Sequence, residues 1–367
     1  MSIKLFKPFI SKEAITNVVR ILSQDQLAEG EEVKLFEQEL ETMLGKKCLT
    51  VNSGTSALEL AYELAGINEG DEVIVPVLTC TATNLPLLHR KAKIVFADIT
   101  KDLNIDIEDV KNKITDKTKA IVFVHFGGNN RGLRELVELC GERHITLIED
   151  AAQAMGSEYW GQADYACVSL QAIKTITSGD GGLLITKTKE DYEKAKRLRW
   201  FGIDREAKQR GENPDVTEAG YKYHMNNISA SIGRGNLLYL DYLMKHINDL
   251  GKIYRSYGLF SHTWLAGGFT DDYNGLKKFM ESRGVEIGQH HYKNSLYTVF
   301  KNYPAICPTM DSIEHNYYFV PFHHSVSLLQ AHEIGSMIKE WEDQNSTQKN
   351  NQEKGIGKQV DAMLQET

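Results

Sequence analysis

The chain has 367 residues, 41% hydrophobic and 25% charged, which is enough apolar material for one large domain and a smaller one. A net charge of -8 leaves no basic excess to displace phosphate counterions, so general attraction to nucleic acid or to an anionic membrane is excluded. Five scattered cysteines without a metal-ligand spacing, no apolar run near the roughly 20 residues of a membrane span, and no leader-like apolar core in residues 1–10 make a reduced, metal-free, cytoplasmic protein the expectation.

From Glu31, the residues Val33, Phe36, Leu40 and Met43 recur at helical spacing, and Gly45 supplies a stop. Cys48 to Val51 reads as a strand, Asn52-Ser53-Gly54-Thr55-Ser56 as a turn of small residues, and Ala57, Leu58, Leu60, Ala61 and Leu64 as the helix that follows. Such a turn offers backbone N–H groups and hydroxyls at a helix start, which favours a phosphate; the same residues serve equally as a plain helix cap. Strands are predicted at Glu72 to Val77, Lys93 to Ala97 and Ala120 to Val124, the last running into His125 and Gly127-Gly128. A helix over Leu133 to Arg143 and a buried strand over Ile145 to Ile148 lead to Glu149-Asp150, and short strands follow at Val168 to Leu170 and Gly182 to Thr186.

This alternation predicts an α/β fold, a mostly parallel central sheet flanked by helices. Past Gly220 the texture changes to helices with a few strands, including one long helix over Ile228 to Leu243 and another over Asn274 to Arg283. The expected division is a large domain over residues 1–235, a smaller C-terminal α+β domain over 236–342, and a polar tail over 343–367 too poor in apolar residues to order.

Ligands of open α/β sheets gather at the C-terminal ends of the strands, where the chemically distinctive residues fall. Asp150 ends an apolar run, so its carboxylate is partly desolvated and suits a cationic partner such as a protonated pyridine nitrogen; capping a helix over Ala151 to Met155 is the plainer reading. Lys174 lies among apolar residues ahead of Gly179-Asp180-Gly181-Gly182, and a lysine in a dry pocket has a lowered pKa and can form a Schiff base. A solvated surface charge is the ordinary alternative.

Taken together, Ser53-Gly54-Thr55-Ser56-Ala57-Leu58, Glu149-Asp150-Ala151-Ala152-Gln153-Ala154 and Lys174 before Gly-Asp-Gly-Gly resemble the nucleotide-sugar aminotransferases of the DegT/StrS type. Leu27-Ala28-Glu29-Gly30, Trp200 to Arg205, Met225 to Gly233 and Gly288 to Asn294 extend the likeness from about residue 8 to residue 342. The resemblance implies pyridoxal 5'-phosphate (PLP), cycling with pyridoxamine 5'-phosphate, as cofactor. By the same token Lys174 forms the Schiff base and shuttles the proton, Asp150 keeps the ring nitrogen protonated, and Gln153 contacts the ring hydroxyl. Gly54, Thr55, Ser56 and Ser169 belong to the phosphate site, and Asn227 reaches the phosphate of the neighbouring subunit, which requires a homodimer with shared active sites.

His291 and Tyr292 match positions that line the sugar site, and His125 matches a position near the active site where a structural hydrogen bond is the other reading. Where the family commonly stacks an aromatic residue on the cofactor ring, this chain has Cys80, able to contact a ring face but not to stack. The implied reaction takes an amino group from L-glutamate and gives it to a nucleotide-linked keto sugar, first a 4-keto-6-deoxyhexose and next a 3-keto sugar. A dehydratase of the same fold carries histidine in place of Lys174, and a DNA-attached regulator would need a helix-turn-helix or basic patch that this sequence lacks.

Overall fold

Seven strands make the central sheet, and the way their side chains divide explains why it is buried. In this computed structural model, which describes residues 2–213 and 215–345, the chain order is α1 (Lys12–Leu22), α2 (Glu31–Leu44), β1 (Cys48–Val51), α3 (Gly54–Leu64), β2 (Glu72–Pro76), β3 (Leu78–Thr79), α4 (Thr81–His89), β4 (Lys93–Ala97), α5 (Ile107–Lys113), β5 (Thr118–Val124), α6 (Leu133–Arg143), β6 (Thr146–Asp150), β7 (Tyr165–Ser169) and β8 (Gly182–Thr186). The sheet order is β1-β8-β7-β6-β5-β2-β4. The five strands from β7 to β4 run parallel, and β8 is antiparallel to both of its neighbours. Along β5, Ala120, Val122 and Val124 enter one apolar cluster while Ile121 and Phe123 enter another, the two-sided burial that a parallel sheet between helix layers demands.

The chain continues with α7 (Lys189–Leu198), α8 (Arg205–Gln209), α9 (Asn227–Leu237), α10 (Leu240–Ser256), β9 (Phe260–Ser261), β10 (Ala266–Phe269), α11 (Tyr273–Ser282), β11 (Tyr292–Lys293), α12 (Pro308–Ile313), β12 (Tyr317–Val320) and a helix over 328–345. Strands β12-β10-β9 form an antiparallel sheet whose residues pack with α10, α11 and the 328–345 helix around Leu250, Tyr254, Met280 and Ile334. β11 pairs with β3, so the segment after Ile287 returns to the large sheet's edge of functional loops.

Three sequence expectations are corrected. The single helix over Ile228 to Leu243 is two helices, because Asn236 is fully buried and spends its amide on tertiary bonds: Oδ1 accepts from Ser11 N at 2.9 Å and Nδ2 donates to Thr177 O at 2.8 Å. The chain turns there, with Tyr239 N bonded to Asn236 O. Residues Ala151 to Met155 form turns and no helix, and the strand expected at Val168 to Leu170 starts earlier, at Tyr165. Of the expected tail, residues 343–345 complete the last helix and 346–367 lie outside the described residues.

Candidate active site

Glu149 and Asp150 end β6, and alternation along a strand sends them to opposite faces. Glu149 is fully buried, receives His125 Nε2 at 2.7 Å, and accepts the backbone N–H groups of Gly161, Gln162 and Ala163 at 2.6 to 2.7 Å. Burial works to raise its pKa, but the His125 bond and charge together with the backbone donors outweigh that and hold it below the usual carboxylate range. His125 therefore has a structural partner on the face away from Asp150. Asp150, also buried, accepts Thr83 Oγ1 at 2.7 Å on Oδ2 and Ala152 N at 3.1 Å on Oδ1.

Lys174 follows β7 in a turn whose backbone closes from Lys174 N to Gln171 O at 2.9 Å. The side chain keeps part of its surface open, yet enough protein surrounds the amine that desolvation lowers its pKa from 10.5 to about 8, against the opposing charges of Asp150 and Cys80. Its Nζ lies 4.2 Å from the ring centroid of Trp264, and that ring stacks on Phe6 at 5.3 Å. Burial pushes up the thiol of Cys80, the residue ahead of α4, which faces both Asp150 and Lys174.

The turn before α3 meets the end of β7. Ser53 caps the helix by accepting Ser56 N at 3.0 Å, and Ser56 Oγ donates to Asn52 Oδ1 at 2.6 Å. Gly54 lies so close to Ser169 that a Cβ there would stand 2.9 Å from Ser169 Cβ, and a Cβ on Gly182 would stand 2.5 Å from Ser53 O. Ser169 thus lies against the start of the 11-residue α3, where Gly54, Thr55 and Ser56 form the first turn.

Gln153 is oriented without ambiguity. Its Oε1 accepts Gly127 N at 2.6 Å, so Nε2 is the donor and His291 Nε2, 3.2 Å away, is the acceptor. The His291 ring proton then sits on Nδ1. Burial drives the His291 pKa well below 6.5 and that of the adjoining His290 to about 3, with His290 and Lys174 adding to the first and Lys174 to the second. Neither imidazole adds a positive charge near neutral pH. His291 holds φ 66°, a conformation unfavourable to a side chain, and Tyr317 Oη pins its carbonyl at 2.6 Å.

The structure gathers Asp150, Lys174, Cys80, Gln153 and His291, and places Tyr292 beside them on β11, 48% exposed. Asn227 stands apart from that group. It is buried against residues 26–30, donating Nδ2 to Gln26 O at 3.0 Å, and among the described residues its Oδ1 has no hydrogen-bond partner. Sequence reading missed Thr83 and Trp264. Thr83 had a faint signal, a second threonine one helical turn after Thr79; Trp264 had none, since its contact with Lys174 is made only by the fold.

Residues 8–258 match the DegT/DnrJ/EryC1/StrS aminotransferase family. GDP-perosamine synthase of Vibrio cholerae is 34% identical over 288 residues, covering 72% of this chain and 77% of that protein. UDP-4-amino-4,6-dideoxy-N-acetyl-beta-L-altrosamine transaminase of Campylobacter jejuni is 34% identical over 254 residues, 67% of this chain and 66% of that one. The crystal structure of the sugar aminotransferase CalS13 from Micromonospora echinospora superposes with a TM-score of 0.86 at 26% identity, across 92% of this chain and 99% of that one. The chain belongs to the DegT/DnrJ/EryC1/StrS aminotransferase family and is a pyridoxal-phosphate-dependent aminotransferase.

Proposed function

We propose that this aminotransferase moves an amino group from L-glutamate to the keto group of a nucleotide-linked sugar, with a 4-keto-6-deoxyhexose as the first acceptor. The observation that carries it is the pairing of a lysine whose pKa is lowered to about 8 with a buried carboxylate, beside a hydroxyl-lined helix start. These residues fit PLP: a carboxylate for a ring N–H, an amine for an aldehyde, an amide donor for a ring hydroxyl, and a helix start with Ser169 for the phosphate. When bound, the cofactor supplies an electron sink for the carbon that loses its proton.

Each protein group then has a task. Lys174, lowered to about 8, has an appreciable neutral fraction near pH 7 and can take a proton from the substrate carbon and return it. Asp150 would pair with the ring N–H, and Gln153 Nε2, one of whose protons goes to His291, would offer the other to the ring hydroxyl. Thr55 and Ser169 would hold the phosphate oxygens, joined by Ser56 once its hydroxyl leaves Asn52 Oδ1. Cys80 would contact a ring face, and His291 and Tyr292 would line the sugar. Asn227 would serve the neighbouring protomer's phosphate through Nδ2, which gives one proton to Gln26 O and has a second to offer.

The sugar-nucleotide acceptor is supported by relatives named for GDP-perosamine and for a UDP-linked amino sugar. The deciding experiment incubates the holoenzyme with glutamate and a panel of keto sugar nucleotides, identifying products by mass and NMR. A 4-amino sugar nucleotide is expected; a 3-amino product would move the reaction to the neighbouring carbon, and no amino sugar from any member would overturn the proposal. Lys174→Ala is expected to abolish both turnover and the visible absorbance of the bound cofactor.

A further inference from the structure

The carboxylate of Asp150 ends a chain of buried hydroxyls. Thr83, with no exposed surface, donates Oγ1–H to Asp150 Oδ2 at 2.7 Å, and Thr79, 1% exposed, lies with its Oγ1 2.9 Å from Thr83 Oγ1. A carboxylate accepts only, so Thr83's single proton is committed to Asp150, and the Thr79–Thr83 bond must run from Thr79 to Thr83. The direction of both bonds is fixed by the charge at one end.

The other end is tied to the segment that bears His291 and Tyr292. Thr79 lies opposite Tyr292 in the β3–β11 pair, and its carbonyl accepts Asn294 Nδ2 at 2.7 Å. Asn294 Oδ1 in turn accepts Asn84 Nδ2 at 3.0 Å, and Tyr62 Oη holds the Thr83 carbonyl at 2.7 Å. Neither threonine can rotate away without leaving a buried polar group unpaired.

We propose that Thr83 is a positioning residue for Asp150, set by Thr79, and that this two-hydroxyl relay holds the carboxylate in one rotamer while coupling it to the β3–β11 pair. A fixed donor selects one carboxylate rotamer, and hydrogen bonds in series strengthen one another. The inference rests on the reading of Asp150 as the partner of the cofactor's ring nitrogen. The other titratable groups whose fields reach Asp150 are Lys174, Cys80, Cys167 and Tyr62, and all four are unchanged in the variants below.

The test is equilibrium binding of PLP to the apo-protein, with thermal melting as a check on folding. Thr83→Val removes the donor at nearly constant volume and is expected to weaken PLP binding roughly tenfold, the scale of a charge-assisted bond. Thr83→Ser restores wild-type binding. Thr79→Val gives a smaller change in the same direction, and decides the matter if Thr83→Val does not fold. Wild-type binding in Thr79→Val and in folded Thr83→Val, alongside weakened binding in Asp150→Asn, would overturn the relay alone. Wild-type binding in Asp150→Asn would instead overturn the reading of Asp150 beneath it. In the Asp150→Asn background Thr83→Val should add little; a full additional tenfold loss would show that Thr83 acts elsewhere.

Discussion

Two desolvated groups carry their charge at opposite cost. Lys174 is depressed from 10.5 to about 8, so below about pH 8 it is charged in both folded and unfolded chains and the whole desolvation cost is present. Between about pH 8 and 10.5 the unfolded chain binds the extra proton, and that cost is relieved as pH rises. The apo-protein's stability relative to Lys174→Met is therefore expected to be lower by roughly 3 kcal/mol below pH 8 and to converge with it toward pH 10.5. Parallel denaturant curves at pH 7 and 10 check this, and a constant gap would refute it. Glu149, by contrast, is matched by His125 and three backbone donors; Glu149→Ala orphans all four and is expected to cost about 3–5 kcal/mol in urea unfolding. At this scale local pattern marked Asp150 and Lys174 as candidates, each with a plainer reading beside it, and the resemblance of the joined motifs is what singled them out. Thr83 and Trp264 act on them across long stretches of chain, which local pattern does not encode.

Among the elements, the contact between β8 and the turn before α3 constrains the proposed phosphate site through backbone atoms. Gly182 begins β8 opposite Val51, and any side chain there would press on Ser53 O, Ser53 C and Gly54 N at 2.5 to 2.7 Å. None of these backbone atoms can rotate aside. Gly182→Ala is expected to displace the turn and weaken PLP binding at least tenfold, measured by cofactor titration of the apo-protein, while the far-UV circular dichroism stays near wild type. Long apolar strands such as β5 and the helix closed by left-handed Gly45 were legible in composition and periodicity. The two-residue strands β3 and β11 were not, since a period needs more residues than they contain, and the break after Leu237 depends on Asn236's distant partners.

For the whole molecule, a parallel sheet between helix layers followed from the alternation of strand and helix patterns, whereas assembly leaves only indirect marks. Helix α1 exposes Ile15, Val19 and Leu22 along one stripe, each more than half exposed, and Asn227 has an acceptor without a donor. If the active site is completed by a second protomer, sedimentation should report a dimer. Mixing Lys174→Ala with Asn227→Ala protomers should regain activity, because each mixed dimer rebuilds one wild-type site: about a quarter of the wild-type rate at random exchange. Activity that stays at the average of the two variants would show that Asn227 serves its own protomer.

The paired acids at the end of β6 have a corollary for how this chain can vary. Replacing one of them harms one side of the sheet, the His125 anchor or the cofactor side, and leaves the other intact. A slip of the strand by a single position would do both kinds of damage at once, presenting each acid to the environment built for its neighbour. Variation in length just ahead of Thr146 must therefore be taken up in the preceding loop, and the spacing of that short segment is held more tightly than the identity of most residues in it.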